Sequence, residues 1–99
     1  FPWPIARIVL EHHERLDGSG YPLGLRGNEI SLVGRIVAVA DVFHAMISDR
    51  PYRMGKQPDE AFAQLYKDAD RLFDKHCIDA LKRIYDHGLI QIEVNRYVY

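Results

Sequence analysis

Apolar residues recur at helical spacing near the start of the chain, in the segment IARIVLEHHERL. They share one helix face with His12, and His13 lies at the edge of that face. The preceding Pro4 suits the first helical turn, and the Asp-Gly pair that follows the segment typically ends a helix. We therefore predict a helix over residues 5–16. The apolar members of its face are Ile5, Ile8, Val9 and Leu16.

A second helix is predicted from about Ser31 to Ser48, where apolar residues again follow helical spacing. Apolar neighbours widen the stripe until little solvent-exposed face is left, which is typical of a central helix. Pro51 then breaks the pattern. The core stripe consists of Leu32, Ile36, Val39, Phe43 and Met46.

Two shorter helices are predicted after this central one. The third begins at Pro58, has two acidic residues in its first turn, and runs to about Ala69. The fourth covers residues 75–87, with Asp74 as its N-cap and a glycine directly after it.

Two long loops separate the helices, and such loops in a compact domain are usually functional. Residues 17–29 hold four glycines and a proline, and residues 49–57 (DRPYRMGKQ) form a second, polar loop. The tail over residues 89–99 alternates apolar and polar positions, which predicts a strand. The predicted fold class is all-α: residues 1–88 form a bundle of about four helices with a glycine-rich loop, followed by an extended tail.

The composition is that of a soluble globular domain, with 47% of the 99 residues hydrophobic and 27% charged. A net charge of −1 supplies no basic field for a nucleic-acid backbone, so DNA and RNA are not expected partners. No apolar run is long enough to span a bilayer. The single cysteine excludes an intrachain disulfide and a multi-cysteine zinc site. The chain starts without methionine, and we expect it to begin inside a longer protein.

The adjacent histidines are the first candidates for chemistry. Neighbouring helix positions point about 100° apart, so His12 and His13 do not converge easily on one ion. They can instead serve two metal ions that lie next to each other. The alternative is that both are partly buried histidines whose ring nitrogens are satisfied by hydrogen bonds.

Asp41 interrupts the apolar sequence RIVAVADVFHAMI of the second helix. An ionised carboxylate buried there costs several kcal/mol unless a cation or strong donors meet it. Two imidazoles and such a carboxylate form the ligand set preferred by Fe, Mn and similar ions. The alternative is an ion pair with Arg35 or Arg50. We interpret His44, one turn further on, as a bystander rather than another ligand.

The sequence resembles a known family over most of its length. The segment HHERLDGSGYP, followed by GLRGNEI, RIVAVADVFHAM and SDRPYR, closely resembles the C-terminal part of an HD-GYP domain, and the likeness extends through LFDKHCIDAL. The joined pattern is specific, whereas GYP alone would carry little weight. The resemblance implies an all-α member of the HD superfamily of metal-dependent phosphohydrolases, acting in bacterial signal transduction. Active members hydrolyse cyclic di-GMP to pGpG or GMP with two or three divalent metal ions, commonly iron or manganese.

The resemblance implies roles for five residues in this reaction. His12, His13 and Asp41 match metal ligands of the family, and Arg50 and Arg53 match basic positions that hold the substrate's phosphates. Neighbouring metal ions supply the nucleophile and the charge neutralisation that phosphodiester hydrolysis needs. Two arginines three positions apart can reach one phosphate with planar, bidentate donors. Their alternative is a solvated surface pair with the neighbouring aspartate.

The resemblance also assigns the glycine-rich loop. Gly20, Tyr21 and Pro22 match the signature of the family, and Tyr21 can stack on any base, including guanine. Glu14 and Asp17 match the pattern as well, and we expect them to act behind the metal ligands or to fix the loop.

The chain departs from the family because it contains no His-Asp dipeptide. In the family this pair and further ligands come from helices that precede the matching segment. Three ligands do not fill the coordination of two or three octahedral ions. We therefore expect a cyclic di-GMP phosphodiesterase in the parent domain, and an incomplete, inactive metal site in these residues alone.

Two other functions stay open at this stage. A degenerate site would make the domain a non-catalytic sensor of cyclic dinucleotides or a protein-interaction module, with the GYP loop contacting a diguanylate cyclase. A purely structural four-helix domain would use its histidines and Asp41 only to satisfy each other. The family implies a cytoplasmic protein with an upstream sensor or receiver domain. The sequence does not distinguish cyclic di-GMP from cyclic GMP-AMP as the substrate.

Overall fold

The structure, a computed structural model, describes residues 3–89 of the chain. Within this range it contains four α-helices. A short 3-10 helix, Gly27–Glu29, lies in the loop after the first of them. No strand occurs in this range, so the all-α prediction is confirmed. The strand predicted for the tail falls on residues 90–99, outside the described range. The helices are α1 (Trp3–Glu11), α2 (Leu32–Ile47), α3 (Pro58–Lys67) and α4 (Lys75–Asp86).

The starts of α2, α3 and α4 follow the signals in the sequence. The Ser31 side chain caps α2 by accepting a hydrogen bond from the Gly34 N–H at 3.1 Å. Asp74 caps α4 in the same way, accepting from the His76 N–H at 2.8 Å. α3 begins at Pro58, whose fixed φ suits the first helical turn.

α1 ends at Glu11 rather than near Leu16, so this boundary was predicted wrongly. The Glu14 N–H bonds to the Glu11 carbonyl at 2.9 Å, a spacing tighter than that of an α-helix. The Leu16 N–H then bonds to the Leu72 carbonyl at 3.0 Å instead of continuing the helix. Contacts with the rest of the fold therefore override the helical periodicity of HHERL.

The core lies between α2, α3 and α4. The Phe43 and Phe62 rings meet with centroids 4.6 Å apart, and Tyr85 lies 5.5 Å from Phe62. Cys77 is a free, buried cysteine in this core, and burial raises the pKa of its thiol. The buried members are Val39, Phe43, Ala61, Phe62, Leu65, Phe73, Cys77 and Ile78.

α2 is not the fully covered central helix that its sequence predicts. Val39 and Phe43 are buried, but Leu32 and Ile36 of the predicted stripe are 56% and 47% exposed. α1, α3 and α4 all pack against α2, yet within the described range they leave this apolar side open. None of the described helices combines the length and the hydropathy that crossing a bilayer requires.

Candidate functional site

His12 and His13 lie in the turn that follows α1 rather than in the helix itself. Their ring centroids are 3.9 Å apart, with an angle of 42° between the ring planes. The expectation that these side chains diverge by about 100° assumed a helix through both residues, whereas α1 ends at Glu11. Side by side, the two imidazoles can coordinate one metal ion or two adjacent metal ions.

His12 uses one of its two ring nitrogens in a hydrogen bond to the backbone. Nδ1 of His12 lies 2.7 Å from the Val9 carbonyl and donates to it, because a carbonyl oxygen can only accept. In the neutral imidazole this leaves the lone pair of Nε2 free for a ligand. Metal-binding histidines are commonly oriented by such a bond from the other ring nitrogen. His13 is fixed differently, by stacking on Tyr21 with centroids 4.8 Å apart and planes 20° from parallel.

Glu14 lies beneath the GYP loop, with only 2% of its surface exposed. Its Oε1 accepts the N–H groups of Leu23 at 2.6 Å and Gly24 at 3.1 Å, and its Oε2 accepts the Leu25 N–H at 2.8 Å. Three charge-assisted bonds to consecutive backbone groups hold this part of the loop in one conformation. The carboxylate is thus occupied with the loop backbone.

Gly20 allows the loop to touch the backbone that carries the histidines. A Cβ at this position would lie 2.4 Å from the His13 carbonyl oxygen and 2.5 Å from the Arg15 nitrogen. The next residue, Tyr21, donates its N–H to the same His13 carbonyl at 3.3 Å, and the Tyr21–Pro22 peptide bond is cis. Only glycine permits this approach without moving backbone atoms.

Asp17 closes the ends of the loop and is itself exposed. Its Oδ1 accepts the Ser19 N–H at 2.9 Å, and hydrogen bonding from Ser19 lowers the pKa of the Asp17 carboxyl. The backbones of Asp17 and Arg26 pair in an isolated antiparallel bridge. Asp17 therefore fixes where the loop starts and returns.

Arg15 supports the same turn, and the sequence reasoning missed it. It donates to the His12 carbonyl at 3.3 Å and to the Glu14 carbonyl at 2.9 Å, and its guanidinium lies 5.0 Å from the centre of the Phe73 ring. Burial lowers the pKa of Arg15, while the charges of Tyr21, Asp41 and Glu14 act in the opposite direction.

Glu11 is the second charged residue that the sequence reasoning missed. It is the last residue of α1 and is 4% exposed. Burial alone would raise its pKa, but hydrogen bonds from Ser31 and Arg7 outweigh burial and lower the pKa of the carboxyl. An acid at a helix C-terminus opposes the helix dipole. Because the helix was predicted to run to residue 16, Glu11 was expected in its interior and this conflict was not visible in the sequence.

Asp41 is exposed, which corrects the expectation of a buried carboxylate in the second helix. Neither of the expected cations pairs with it: Arg35 binds Asp74 at 2.6 Å instead, and Arg50 forms no ion pair with Asp41. Within residues 3–89 the Asp41 carboxylate has no hydrogen-bond or ion-pair partner, so it is available to a ligand. His44, one turn further along α2, is exposed as well.

Arg50 and Arg53 face each other across a tight turn formed by Pro51 and Tyr52. The Arg50 N–H donates to the Arg53 carbonyl at 2.8 Å, and the Arg53 N–H donates to the Arg50 carbonyl at 3.2 Å. Residues paired in this way across an antiparallel bridge carry their side chains on the same side. Two positive charges on one side of a turn repel each other, which favours an anion between them.

The arginine turn is held against the end of α2. The Arg53 guanidinium donates to the Ala45 carbonyl at 3.3 Å. The neighbouring Asp49 forms no ion pair with either arginine, because its Oδ1 accepts the Gly55 N–H at 2.7 Å. The alternative of a surface ion pair with this aspartate is therefore not what the structure contains. The turn stays cationic and is attached to the helix that carries Asp41.

Within residues 3–89, no three side chains of the His, Cys, Asp and Glu types converge well enough to hold a metal ion. The structure brings His12 and His13 together but does not gather Asp41 with them into a three-ligand cluster. The free Nε2 of His12 and the unpaired Asp41 carboxylate are donors that suit Fe or Mn. These residues therefore fit a part of a metal site, and the complete ligand set stays a prediction.

Residues 1–77, which are most of the chain, match the HD domain family. The chain belongs to the HD domain family. The resemblance drawn from HHERLDGSGYP and the segments after it is thereby confirmed. Within this HD domain, the matched range includes the histidine pair, the GYP loop, Asp41 and the arginine turn.

Several curated proteins are similar to this HD domain chain. It is 59% identical over 88 residues to the cyclic di-GMP phosphodiesterase response regulator RpfG of Xanthomonas campestris, covering 89% of this chain and 22% of that protein. It is 47% identical over 79 residues to a cyclic di-GMP phosphodiesterase of Thermotoga maritima, covering 80% and 22%. It is 44% identical over 79 residues to 3'3'-cGAMP-specific phosphodiesterase 3 of Vibrio cholerae, covering 80% and 17%. The chain thus spans about a fifth of the length of these relatives.

Proposed function

We propose that this chain is part of an HD-GYP domain that hydrolyses cyclic di-GMP to pGpG or GMP with bound divalent metal ions. The observation that carries the proposal is the His12–His13 pair, whose rings lie 3.9 Å apart with Nε2 of His12 free. The names of the three relatives describe phosphodiesterases of cyclic dinucleotides, which supports the same reaction class.

In this proposal His12, His13 and Asp41 are metal ligands, and iron or manganese suits their nitrogen and oxygen donors. When bound, the metal ions supply an activated water and neutralise charge on the phosphate oxygens. The role of the chain is to hold the imidazole pair in place through the Val9 carbonyl and the Tyr21 ring. The remaining ligands, including the His-Asp pair of the family, would come from parts of the protein outside this chain.

Uncovered apolar surface supports a larger domain of this kind. Ile5 and Val9 of α1 are 46% and 52% exposed. On α2, about half of the surface of each of Leu32, Val33 and Ile36 is exposed as well. An apolar groove of about 230 Å³ also lies between α2 and α4. Soluble proteins rarely leave large apolar patches in water. We infer that further helices of the domain cover this surface and bring the missing ligands to the histidine pair.

Arg50 and Arg53 are proposed to hold a phosphate of the substrate. They stand on the same side of their turn and make no ion pair among the described residues. Guanidinium groups match phosphate oxygens with planar, bidentate donors, so the pair can bind one phosphate with charge and direction. The bond from Arg53 to the Ala45 carbonyl keeps this phosphate site near the C-terminal half of α2, which also carries Asp41.

Tyr21 is proposed to contact a base of the substrate. It is 61% exposed while one face of its ring stacks on His13. An aromatic face accepts every base, so Tyr21 supports a cyclic dinucleotide without selecting cyclic di-GMP over cyclic GMP-AMP.

The protein is also proposed to act in bacterial signal transduction in the cytoplasm, joined to an upstream sensor or receiver domain. The exposed loop side chains Tyr21 and Leu23, which are 61% and 65% exposed, support contact with a partner such as a diguanylate cyclase. The second candidate function is a non-catalytic sensor or interaction module. The exposure of Tyr21 and Leu23 in the GYP loop is the observation that favours it.

The experiment that separates these functions measures cyclic di-GMP and cyclic GMP-AMP hydrolysis by the full-length protein and its Asp41→Asn variant. The amide keeps the shape of the side chain but removes the negative oxygen ligand. We expect hydrolysis by the wild type and a loss of at least about 100-fold in the variant, because losing a ligand should cost at least as much as losing a group that only orients one. Binding of either dinucleotide without hydrolysis by the wild type would support the sensor instead.

A further inference from the structure

Glu11 occupies an unusual position between the first helix and the histidine pair. It is the last residue of α1, directly before His12, and its side chain is buried although it carries a carboxylate. The helix dipole disfavours an acid at this end of a helix. Burial of the charge adds to that cost unless several donors meet it. The partners of Glu11 therefore define what the residue does.

Two elements supply those partners. Oε2 of Glu11 accepts both the backbone N–H of Ser31 at 2.9 Å and the Ser31 hydroxyl at 2.5 Å. Oε1 accepts from Nε of Arg7, one turn back in α1, at 2.9 Å. The Ser31 oxygen in turn accepts the Gly34 N–H at 3.1 Å as the N-cap of α2. A continuous chain of hydrogen bonds thus joins the end of α1 to the first turn of α2.

The two helices meet at this point with no spare room. A Cβ on Gly34 would lie 2.8 Å from Oε2 and 2.9 Å from Cβ of Glu11. The start of α2 therefore packs directly on the Glu11 carboxylate. Asp41 lies further along the same helix.

We propose that Glu11 is a positioning residue for the metal site. It fixes the direction in which His12 and His13 leave α1 relative to α2, the helix that carries Asp41. This inference rests on the proposed function for the identity of the ligands, but its geometric part does not. Groups that orient ligands in this way typically change metal affinity about 10- to 100-fold when they are removed.

The test compares Glu11→Gln with Asp74→Asn in the full-length protein. Glutamine keeps one acceptor oxygen but turns an amide N–H₂ toward Ser31 or Arg7, so the link is broken on one side. Asp74 is a matched control because it is also buried and makes an ion pair, with Arg35 at 2.6 Å. Its contacts cap α4 and join α4 to α2, whereas those of Glu11 join α1 to α2 directly before the histidines. Mn²⁺ affinity by calorimetry and melting temperature are measured for both.

We expect both variants to lose thermal stability, whereas only Glu11→Gln weakens Mn²⁺ binding, by about 10- to 100-fold. Ser31→Ala should weaken Mn²⁺ binding in the same direction, and Ser31→Thr, which keeps the hydroxyl, should restore it. This pair decides the question if Glu11→Gln does not fold. Equal Mn²⁺ affinities for Glu11→Gln and the wild type, or equal losses in Glu11→Gln and Asp74→Asn, would overturn the proposal.

A metal-free measurement separates this inference from the proposed function. Nitrogen-15 NMR of labelled histidines reports the ring environments of His12 and His13 without any ion. We expect Glu11→Gln to shift the signals of both rings and Asp74→Asn to leave them in place. If the wild type binds no Mn²⁺ but Glu11→Gln still shifts both ring signals, the metal site alone is refuted. If Glu11→Gln leaves both ring signals unshifted, the positioning role is refuted.

Discussion

The imidazole rings of His12 and His13 lie 3.9 Å apart in the turn that directly follows α1. In a continuing helix the same side chains would point about 100° apart and serve separate sites. The following loop contacts the pair, because Gly20 approaches the His13 carbonyl and Tyr21 stacks on the His13 ring. The loop and the histidine pair therefore form one structural unit.

Replacing either histidine should remove metal from the full-length protein. We expect His12→Ala or His13→Ala to lower bound iron or manganese to less than about one tenth of the wild-type content, since each variant removes one proposed ligand from the metal site. Elemental analysis of the purified proteins measures this directly. His76→Ala is the control, because His76 is exposed at the start of α4 and should leave the metal content unchanged. Equal metal in all variants would contradict the ligand assignment.

Glu14→Gln should release the GYP loop. The amide can still accept at one atom, but its N–H₂ group must face at least one of the N–H donors of Leu23, Gly24 and Leu25. Leaving a buried donor without an acceptor costs about 1–3 kcal/mol. We expect amide hydrogen exchange at these three residues to become at least about tenfold faster, with the α3–α4 core unaffected. Unchanged protection of these amides would show that other contacts hold the loop.

Loss of the arginine pair should weaken substrate binding more than turnover. Arg50→Ala and Arg53→Ala each remove a charged donor for a phosphate, and we expect KM for cyclic di-GMP to rise about tenfold or more. Lys56→Ala, in the same loop and exposed, controls for the general loss of one positive charge. The effect of the arginines should shrink at high salt. If Lys56→Ala raises KM as much as Arg50→Ala and Arg53→Ala do, the arginine pair has no specific role in binding the phosphate.

Tyr66 supplies a prediction on pH and stability away from the site. Its hydroxyl donates to Asp79 at 2.7 Å, and this bond raises the pKa of Tyr66 from 10.0 to about 12. Because the pKa is raised in the folded state, the stabilisation is complete below pH 10 and is lost as the pH rises toward 12. We expect Tyr66→Phe to lower the free energy of unfolding by about 1 kcal/mol at neutral pH.

Urea unfolding at a series of pH values tests this expectation. The difference between the wild type and Tyr66→Phe should shrink between pH 10 and about 12. Tyr52→Phe is the matched control, because Tyr52 is 81% exposed and should show no such change. A difference that stays constant across this range would mean that the bond to Asp79 does not set the Tyr66 pKa.

Local signals in the sequence were sufficient to predict where α2, α3 and α4 begin, because these starts are fixed by residues within the first turn of each helix. Ser31, Asp74 and Pro58 start α2, α4 and α3 at the predicted places, because a cap or a proline acts within one turn. The end of α1 was missed, because it is set by bonds from distant residues such as Leu72. Periodicity alone contains no information about such contacts.

The candidate site was predicted in its residue types but not in its support. The motif pointed to His12, His13 and Asp41, yet the burial expected for Asp41 was wrong, since α2 leaves one side uncovered in the described range. Glu11 and Arg15 stayed hidden because their partners lie across the fold, as Ser31 and Phe73 do. The residue pattern predicts which side chains can take part in the site, whereas the contacts that position those side chains are visible only in the tertiary structure.

The most direct test of the central claim measures metal content and cyclic di-GMP hydrolysis together, for the full-length protein and for residues 1–99 alone. We expect bound iron or manganese and the release of pGpG or GMP from the full-length protein. We expect neither from the isolated residues, because His12, His13 and Asp41 form only part of a ligand set. A full-length protein that contains no metal and hydrolyses no cyclic dinucleotide would contradict the claim and leave the sensor or interaction module as the function.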